Sequence, residues 1–252
     1  MKRIIIIGAT SGLGFEMARQ CIHKGWHVGV AGRRMEELDK LKGMAPEQVE
    51  TERIDVTSDE APLLLQRLID RLGGMDVYLH SSGIGSSNVE LESDSELRIQ
   101  RTNGEGFVRM VTTAYAWFRV HGGGHIAAIT SIAGTKGIGA SPAYSATKRM
   151  QSTYLEALAQ RAHTEKLGIV ITDIMPGFVD TPILTGNYPM VMRTDYAVHR
   201  ILKAIELRKR RTVIDWRYAA LVRCWRMIPG WLWERIPIRK HAEITLQTPQ
   251  ST

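Results

Sequence analysis

Two patterns alternate along this 252-residue chain: short apolar runs, and longer segments in which apolar residues recur every three or four positions. The runs predict strands, and a run as apolar as residues 4–7, four isoleucines, predicts a sheet that is buried on both faces. The other segments predict amphipathic helices. The predicted strands are 3–8, 26–32, 49–57, 75–83, 124–134, 168–177 and 210–216, and the main predicted helices are 12–24, 34–43, 94–118 and 141–164. This alternation indicates an α/β fold, with one doubly wound parallel sheet of about seven strands and helices on both faces.

These elements lie within residues 1–217, which predicts one domain, and residues 218–252 follow as an amphipathic extension rather than a second domain. Cys21 and Cys224 show no motif spacing, so neither a disulfide framework nor a metal site is expected. The first apolar run breaks at Gly8, too early for a signal peptide, and no stretch approaches the roughly 20 apolar residues of a spanning helix. We therefore expect a cytoplasmic protein, with contact to the cytoplasmic face of a membrane left open.

The formal net charge is +7, and all of the basic excess lies in residues 203–240, where eleven Lys and Arg residues face three acidic ones. Four of the six tryptophans lie in the same region, Trp216, Trp225, Trp231 and Trp233. No nucleic-acid-binding motif accompanies this charge, so nucleic acid is not an expected partner. An amphipathic helix is predicted from the spacing of four apolar residues, Tyr218, Leu221, Val222 and Trp225. It either packs against the protein, over a binding site or a partner subunit, or lies in a membrane interface through residues 217–240.

The sequence GATSGLG joins the first predicted strand to the first predicted helix. Its glycines allow a tight turn and a close approach of the backbone to a phosphate, and the helix N-terminus supplies unpaired N–H groups. The glycine spacing differs from the general dinucleotide fingerprint, but its place between strand and helix favours a dinucleotide site. The residues assigned to this turn are Gly8, Ser11, Gly12, Leu13 and Gly14.

Arg33 and Arg34 follow the second predicted strand, where a protein that prefers NAD commonly carries an acidic residue. A guanidinium can pair with a 2′-phosphate through two hydrogen bonds. We therefore expect NADP, as NADPH, to be the cofactor, ahead of NAD. The alternative is a pair of solvent-exposed arginines at the start of a helix.

Tyr144 and Lys148 stand four residues apart on a predicted helix and therefore share one face. A nearby ammonium lowers the pKa of a phenol toward working pH, which makes Tyr144 the expected general acid or base. Ser131 ends the fifth predicted strand, where its hydroxyl can hydrogen-bond a substrate carbonyl. Asn103 stands next to a glycine inside a predicted helix, a locally unfavourable pairing that indicates a site rather than packing.

In this order and at these distances, the motifs resemble the short-chain dehydrogenase/reductase family over residues 3–216. The resemblance implies a Rossmann-type NAD(P)-binding catalytic domain with a tetrad of Asn103, Ser131, Tyr144 and Lys148. It implies further that Lys148 holds the nicotinamide ribose and that Asn103 helps to order a proton-relay water. The cofactor contacts that it implies are Asp55, Val56, Ser82, Gly83, Tyr144, Lys148, Pro176, Gly177 and Thr181. The chain departs from the family's usual Asn-Asn-Ala-Gly with His80, Ser81, Ser82 and Gly83, so support from the asparagines must come from serine or histidine.

The resemblance also implies an oxidoreductase that interconverts a carbonyl and a secondary alcohol by hydride transfer, working as a homodimer or homotetramer. NADP preference favours reduction in cells. The family's substrate loop corresponds to residues 183–195, whose apolar and Met side chains favour a hydrophobic ketone. The alternatives are a non-catalytic NADP sensor and a membrane- or partner-docking protein on the same fold.

Overall fold

The computed structural model describes residues 2–184 and 188–237, and these contain one parallel sheet. Its strands are β1 Arg3–Ile7, β2 His27–Gly32, β3 Val49–Arg53, β4 Val77–His80, β5 Gly124–Ile129, β6 Ile169–Pro176 and β7 Arg211–Ile214. Their order across the sheet is β3-β2-β1-β4-β5-β6-β7. The prediction of a single doubly wound sheet of seven strands is therefore confirmed.

Helices cover both faces of this sheet. Among the described residues they are α1 Gly12–His23, α2 Met35–Met44, α3 Ala61–Arg71, α4 Ser93–Ile99, α5 Phe107–Val120, α6 Pro142–Thr164, α7 Thr194–Glu206, α8 Trp216–Met227 and α9 Gly230–Trp233. Buried side chains of α1, α2, α7 and α8 form the core on one face, and those of α3, α5 and α6 form the core on the other.

Strand β1 shows why the strands are uniformly apolar. Ile4 and Ile6 point into the core on the α1 side, while Ile5 and Ile7 point into the core on the α3 side. All four side chains are fully buried. Burial of each contributes about 1.5–3 kcal/mol, so every position of a strand covered on both faces is selected to be apolar.

Two elements differ from their predictions, one in its interior and one in where it ends. The predicted helix over 94–118 is helical along its length, but the π-helix Gln100–Gly106 separates α4 from α5. The predicted strand over 124–134 ends at Ile129, and the 3₁₀ helix Ile132–Thr135 follows it. Single π-turns inside helices are rare and are frequent at functional sites.

The carboxyl ends of β1 and β4 lie side by side, yet the chain leaves them in opposite directions, from β1 toward β2 and from β4 toward β5. Such a switch point opens a crevice at the edge of a parallel sheet. The turn after β1, the segment after β4 and the segment after β5 all border this crevice.

Helices α8 and α9 fold back onto the domain. Tyr218 and Val222 are buried in the core on the α1 side, which they share with residues of β1 and α7. None of the helices in 2–184 and 188–237 is both long enough and apolar enough to cross a membrane. The expectations for residues 238–252 lie outside the described residues.

Candidate active site

A cleft of about 600 Å³ lies at the carboxyl edge of the sheet and brings most of the predicted site residues together. The predicted residues that line it are Gly8, Ser11, Gly12, Leu13, Arg33, Arg34, Asp55, Val56, Ser82, Gly83, Ser131, Tyr144, Lys148, Pro176, Gly177 and Thr181. Gly14 and Asn103 are not on its surface and act from behind it. Residues separated by more than a hundred positions in the sequence thus share one site.

The glycine-rich turn is fixed by close backbone contacts. Gly8 adopts φ +89°, and a Cβ on it would lie 2.5 Å from the amide nitrogen of Ser82. A Cβ on Gly14 would lie 2.1 Å from the carbonyl oxygen of Gly8, so only glycine lets α1 start this close to the turn. No side chain caps the first turn of α1, whose N-cap is Ser11, so its N–H groups remain available to a phosphate. The turn therefore fits a dinucleotide pyrophosphate.

The two arginines after β2 differ in their contacts. Arg34 donates from Nη2 to the carbonyl and hydroxyl oxygens of Thr10, at 2.9 and 3.1 Å. Arg33 is exposed at the cleft wall. A Cβ on Gly32 would lie 2.5 Å from Cγ2 of Thr10, so a carboxylate-bearing side chain at position 32 does not fit unless Thr10 moves. Thr10 is a cleft residue that the sequence reasoning missed.

Asp55 and Val56 lie beside the arginines at the same end of the cleft. Although burial raises its pKa, hydrogen bonds from the backbone and hydroxyl of Thr57 and the charge of Arg33 hold the pKa of Asp55 below its usual range. Val56 is buried, and a Cβ on Gly106 would lie 2.7 Å from its Cγ2. The π-helix thus backs the end of the cleft that the arginines border.

The segment after β4 supports the turn through its backbone. Ser81 donates its N–H to the carbonyl of Ile7 at 2.8 Å. His80 is buried, its Nδ1 lies 2.9 Å from the Tyr78 hydroxyl, and its ring contacts Phe107 edge-on. Burial, helped by the charge of Lys148, lowers the pKa of His80 to about 3, so the imidazole is neutral. His80 does not line the cleft and belongs to the packing behind it.

Ser131 stands two residues after β5 rather than at its end, because β5 ends at Ile129 and the backbone turns into the 3₁₀ helix. The hydroxyl oxygen of Ser131 caps that helix by accepting from the N–H of Ala133 at 3.1 Å. Since a hydroxyl has one hydrogen to donate, that hydrogen stays available for an oxygen in the cleft. The local structure thus orients Ser131 as a donor.

Tyr144 packs its ring against the segment after β4: a Cβ on Gly85 would lie 2.8 Å from the ring. Burial raises the pKa of Tyr144, and the hydroxyl of Ser131 only partly opposes this shift. The expectation that a neighbouring ammonium lowers this pKa is therefore wrong for the protein alone. The ammonium nitrogen of Lys148 lies 5.8 Å from the ring centre and donates to other oxygens.

Lys148 is buried, and two of its three N–H donors have partners, the carbonyl of Ile129 at 3.0 Å and Oε1 of Gln151 at 3.2 Å. The third remains for the cleft, which Lys148 lines. Burial lowers the pKa of Lys148 to about 8, and the charge of buried Asp173 partly opposes this shift. Lys148 is therefore a donor whose charge depends on pH near neutrality.

Asn103 lies in the π-helix and is fully buried. Its side chain pairs with the backbone of Ile84, accepting from N–H at 2.8 Å and donating to the carbonyl at 2.7 Å. Its own carbonyl accepts from Nε2 of Gln151 at 2.8 Å. Gln151 was missed by the sequence reasoning, although its position three residues after Lys148 places it on the same helix face.

The turn after β6 packs against the extension that follows residue 217, which we call the tail. A Cβ on Gly177 would lie 2.3 Å from the ring of Tyr218, so the ring lies directly against this turn. The hydroxyl of Tyr218 donates to the carbonyl of Met190 at 2.9 Å and thereby ties α8 to the loop after β6. Thr181 lies directly against the glycine-rich turn, since a Cβ on Gly12 would lie 3.2 Å from its Cβ.

Two of the three tryptophans in the tail face the cleft. Trp225 donates from Nε1 to the hydroxyl of Thr135 at 2.8 Å, and Trp233 donates to the carbonyl of Gly137 at 2.7 Å. Their rings meet edge-to-face with centroids 5.7 Å apart. Trp231 is 62% exposed and points away. Packing over the cleft, one of the two interpretations of the tail, thus describes Trp225 and Trp233 but not Trp231.

The cleft wall beyond Tyr144 is largely apolar. Residues of the loop after β6, of the segment after β5 and of the tail contribute to it, namely Ile138, Phe178, Ile183, Leu184, Tyr188, Leu221, Trp225 and Trp233. Tyr188 packs its ring on Phe178 with centroids 4.3 Å apart. Of the loop residues expected here, Met192 lies instead in the core, while Met190 and Val191 are exposed. Residues 185–187 of this loop lie outside the described residues.

Comparison with known proteins gives consistent matches. A family model for the short chain dehydrogenases matches residues 2–191. An uncharacterized oxidoreductase of Myxococcus xanthus (strain DK1622) is 31% identical over 242 residues, which cover 92% of this chain and 95% of the relative. A short-chain dehydrogenase from Sphingobium yanoikuyae, solved in complex with NADPH, has a TM-score of 0.77 at 20% identity and covers 96% of this chain and 99% of its own. A 3-ketoacyl-(acyl-carrier-protein) reductase from Brucella melitensis, complexed with NADH, has a TM-score of 0.77 at 21% identity and covers 85% and 96%.

Proposed function

Because the chain belongs to the short-chain dehydrogenase family and is an oxidoreductase, we propose that it is an NADPH-dependent reductase that converts a hydrophobic ketone into a secondary alcohol. The observation that carries this proposal is the shared cleft: Ser131, Tyr144 and Lys148 line the same cavity as a glycine-rich turn and an apolar wall. This arrangement favours an enzyme over a non-catalytic sensor. The family resemblance supports a homodimer or homotetramer as the working form.

Each side chain has a separate role in the proposed carbonyl reduction. When bound, the cofactor supplies the hydride to the carbonyl carbon. Tyr144, kept protonated because burial raises its pKa, donates its proton to the carbonyl oxygen. Ser131, whose oxygen already accepts from Ala133, donates its hydrogen to the same oxygen and stabilises the charge that develops there. Lys148 keeps one N–H for the cofactor ribose.

The cofactor-side residues support NADPH. The N–H groups at the start of α1 suit the pyrophosphate, and the family resemblance implies that Asp55 and Val56, which line the same cleft, contact the adenine. Arg33 and Arg34 offer two guanidinium groups at the same end of the cleft, and the space at Gly32 leaves little room for an acidic side chain. Ser82, Gly83, Pro176, Gly177 and Thr181 border the other end, toward Tyr144.

The apolar wall supports a hydrophobic substrate. We expect kcat/KM to rise along a series of methyl ketones of increasing chain length, by about fourfold for each added CH₂ that becomes buried, until the wall is covered. The reason is that each methylene leaves water for contact with apolar side chains such as Leu184 and Leu221. The measurement is the consumption of NADPH at 340 nm, with polar keto acids of the same size as the comparison series.

Substitutions in the tail can distinguish the tail residues that line the cleft from those that do not. Trp225→Ala should reduce kcat/KM for the longest ketone more than for the shortest, because Trp225 lines the cleft. Trp231→Ala is the matched control, since it removes an equally large side chain that is exposed. A chain-length series that is flat in the unsubstituted protein contradicts the hydrophobic substrate.

A second candidate function follows from the other face of the tail. Large apolar side chains of α8, of α9 and of the residue Ile236 after it are exposed. We call them, with the basic residues among them, the tail surface: Trp216, Met227, Trp231, Leu232, Ile236, Arg223, Arg226 and Arg235. On α8, Trp216, Arg223 and Met227 share a face opposite to buried Tyr218. We propose that this surface docks on an anionic membrane at the cytoplasmic face, because apolar and cationic groups together suit a lipid interface.

Vesicle sedimentation tests the tail surface. The protein should pellet with vesicles that contain phosphatidylglycerol and should be released at high salt, because each arginine contributes roughly 1 kcal/mol of screened attraction. The double variant Met227→Glu with Trp231→Glu should stay in the supernatant. The double variant Val120→Glu with Leu63→Glu, which places the same two charges at residues 74% and 55% exposed on α5 and α3, is the control and should pellet as the parent does. If the parent protein stays in the supernatant at low salt, the tail surface does not bind lipid.

A further inference from the structure

Gln151 occupies an unusual place in the active site. It lies on α6 one turn after Lys148, and its side chain is 1% exposed. Its Oε1 accepts from Nζ of Lys148 at 3.2 Å, and its Nε2 donates to the main-chain carbonyl of Asn103 at 2.8 Å. Because an ammonium only donates and a carbonyl only accepts, these partners determine which end of the amide is which. Gln151 is thus a buried bridge between two residues of the tetrad.

With this bridge in place, the hydrogen-bonding groups of Lys148 and Asn103 can be accounted for one by one. Lys148 has used two donors, on Ile129 and Gln151, and keeps one for the cleft. The side-chain amide of Asn103 is hydrogen-bonded to the backbone of Ile84, so only its main-chain carbonyl is left to connect it to Lys148. That carbonyl accepts from Nε2 of Gln151, which links it to Lys148.

We propose that Gln151 is a positioning residue that ties the ammonium of Lys148 to the main chain of Asn103 and thereby fixes the N–H that Lys148 presents to the cleft. The proposal rests on the proposed reductase function for its meaning, but it concerns the chain's own contacts. By accepting from Lys148 and donating to the main-chain carbonyl of Asn103, Gln151 holds the ammonium so that its third N–H faces the cleft.

A role in hydrogen bonding can be separated from a role in packing. Leucine has nearly the volume of glutamine but removes the acceptor for Lys148 and the donor for the main-chain carbonyl of Asn103. Alanine leaves space in which water can bridge the same two groups. A packing role therefore predicts that Gln151→Leu is milder than Gln151→Ala, and the bridging role predicts the reverse order.

The test measures the dissociation constant of NADPH by its fluorescence from pH 6 to 10, with no substrate present. In the parent protein, affinity should fall as pH rises through the pKa of Lys148, because the charged form donates to the cofactor. Gln151→Leu should weaken NADPH binding about tenfold and move this fall to lower pH, since the ammonium loses an acceptor. Gln151→Glu should move it to higher pH, since a carboxylate stabilises the ammonium. Gln151→Ala should lie between the parent and the leucine variant.

Leu155→Val is the matched control, because Leu155 lies one turn further along α6 and is equally buried. It should lower the melting temperature and leave the pH dependence in place. The proposal is overturned if Gln151→Leu and Gln151→Glu leave the fall at the parent's pH, or if Gln151→Ala is the weaker binder of the alanine and leucine variants. Failure of every ketone to react would count against the proposed reaction, while opposite shifts in these two variants would still support the bridge.

Discussion

Replacement of Tyr144 by phenylalanine should lower kcat by about a thousandfold and leave the dissociation constant of NADPH nearly unchanged. The substitution removes only the hydroxyl, the proposed proton donor, and keeps the ring that packs against Gly85. Cofactor contacts through Lys148 and the glycine-rich turn are untouched. The measurement pairs NADPH consumption on the best ketone of the chain-length series with a fluorescence titration of NADPH.

Tyr154→Phe provides the control for this experiment. Tyr154 lies on the same helix, packs against Phe107 and does not line the cleft. Its loss of a hydroxyl should leave turnover close to that of the parent. Near-normal turnover in the Tyr144 variant would remove Tyr144 as the proton donor, whereas loss of NADPH binding in that variant would point to a damaged cleft.

The pKa shifts agree with a donor role for Tyr144. Burial raises the pKa of Tyr144, which keeps the phenol protonated at neutral pH and ready to donate. A phenolate, which oxidation of an alcohol requires, is correspondingly disfavoured in the protein alone. This agrees with the proposed direction, the reduction of a ketone by NADPH.

Much of this fold follows from the sequence because the strands are buried on both faces. A run such as residues 4–7 has to be apolar throughout, and the glycine-rich turn after it has to admit backbone contacts that no side chain allows. The helix predicted over 141–164 is found as Pro142–Thr164. The sequence singled out Tyr144 and Lys148 by their spacing of four on a predicted helix, Ser131 by its place near the end of a strand, and Asn103 by the glycine beside it inside a helix.

The remaining features depend on contacts between distant parts of the chain. The π-helix at Asn103 adds about one residue to a turn, too small a change to disturb the apolar pattern of the helices around it. The pKa of Tyr144 depends on burial that spacing alone does not reveal. The indole bonds of Trp225 and Trp233 reach a loop some ninety residues earlier, so only the folded chain shows which tryptophans face the cleft.

A second large effect is expected on the affinity for NADPH relative to that for NADH. The double variant Arg33→Ala with Arg34→Ala should raise the dissociation constant of NADPH about a hundredfold and change that of NADH little, because only NADPH carries the 2′-phosphate. Fluorescence titrations of both cofactors against both proteins measure the ratio. The double variant Arg119→Ala with Arg200→Ala, which removes an equal charge from exposed positions on α5 and α7, is the control and should leave the ratio unchanged.

The single variants should differ in a way that the contacts explain. Arg34 is tied to the backbone and hydroxyl of Thr10, so Arg34→Ala should also loosen the turn and weaken NADH modestly. Arg33 is exposed at the cleft wall, so Arg33→Ala should affect NADPH alone. Equal losses for NADH and NADPH in the double variant would mean that the arginines support the turn and do not recognise the phosphate. A parent protein that binds the two cofactors equally would remove the NADPH preference, while the catalytic roles of Ser131 and Tyr144 would be unaffected.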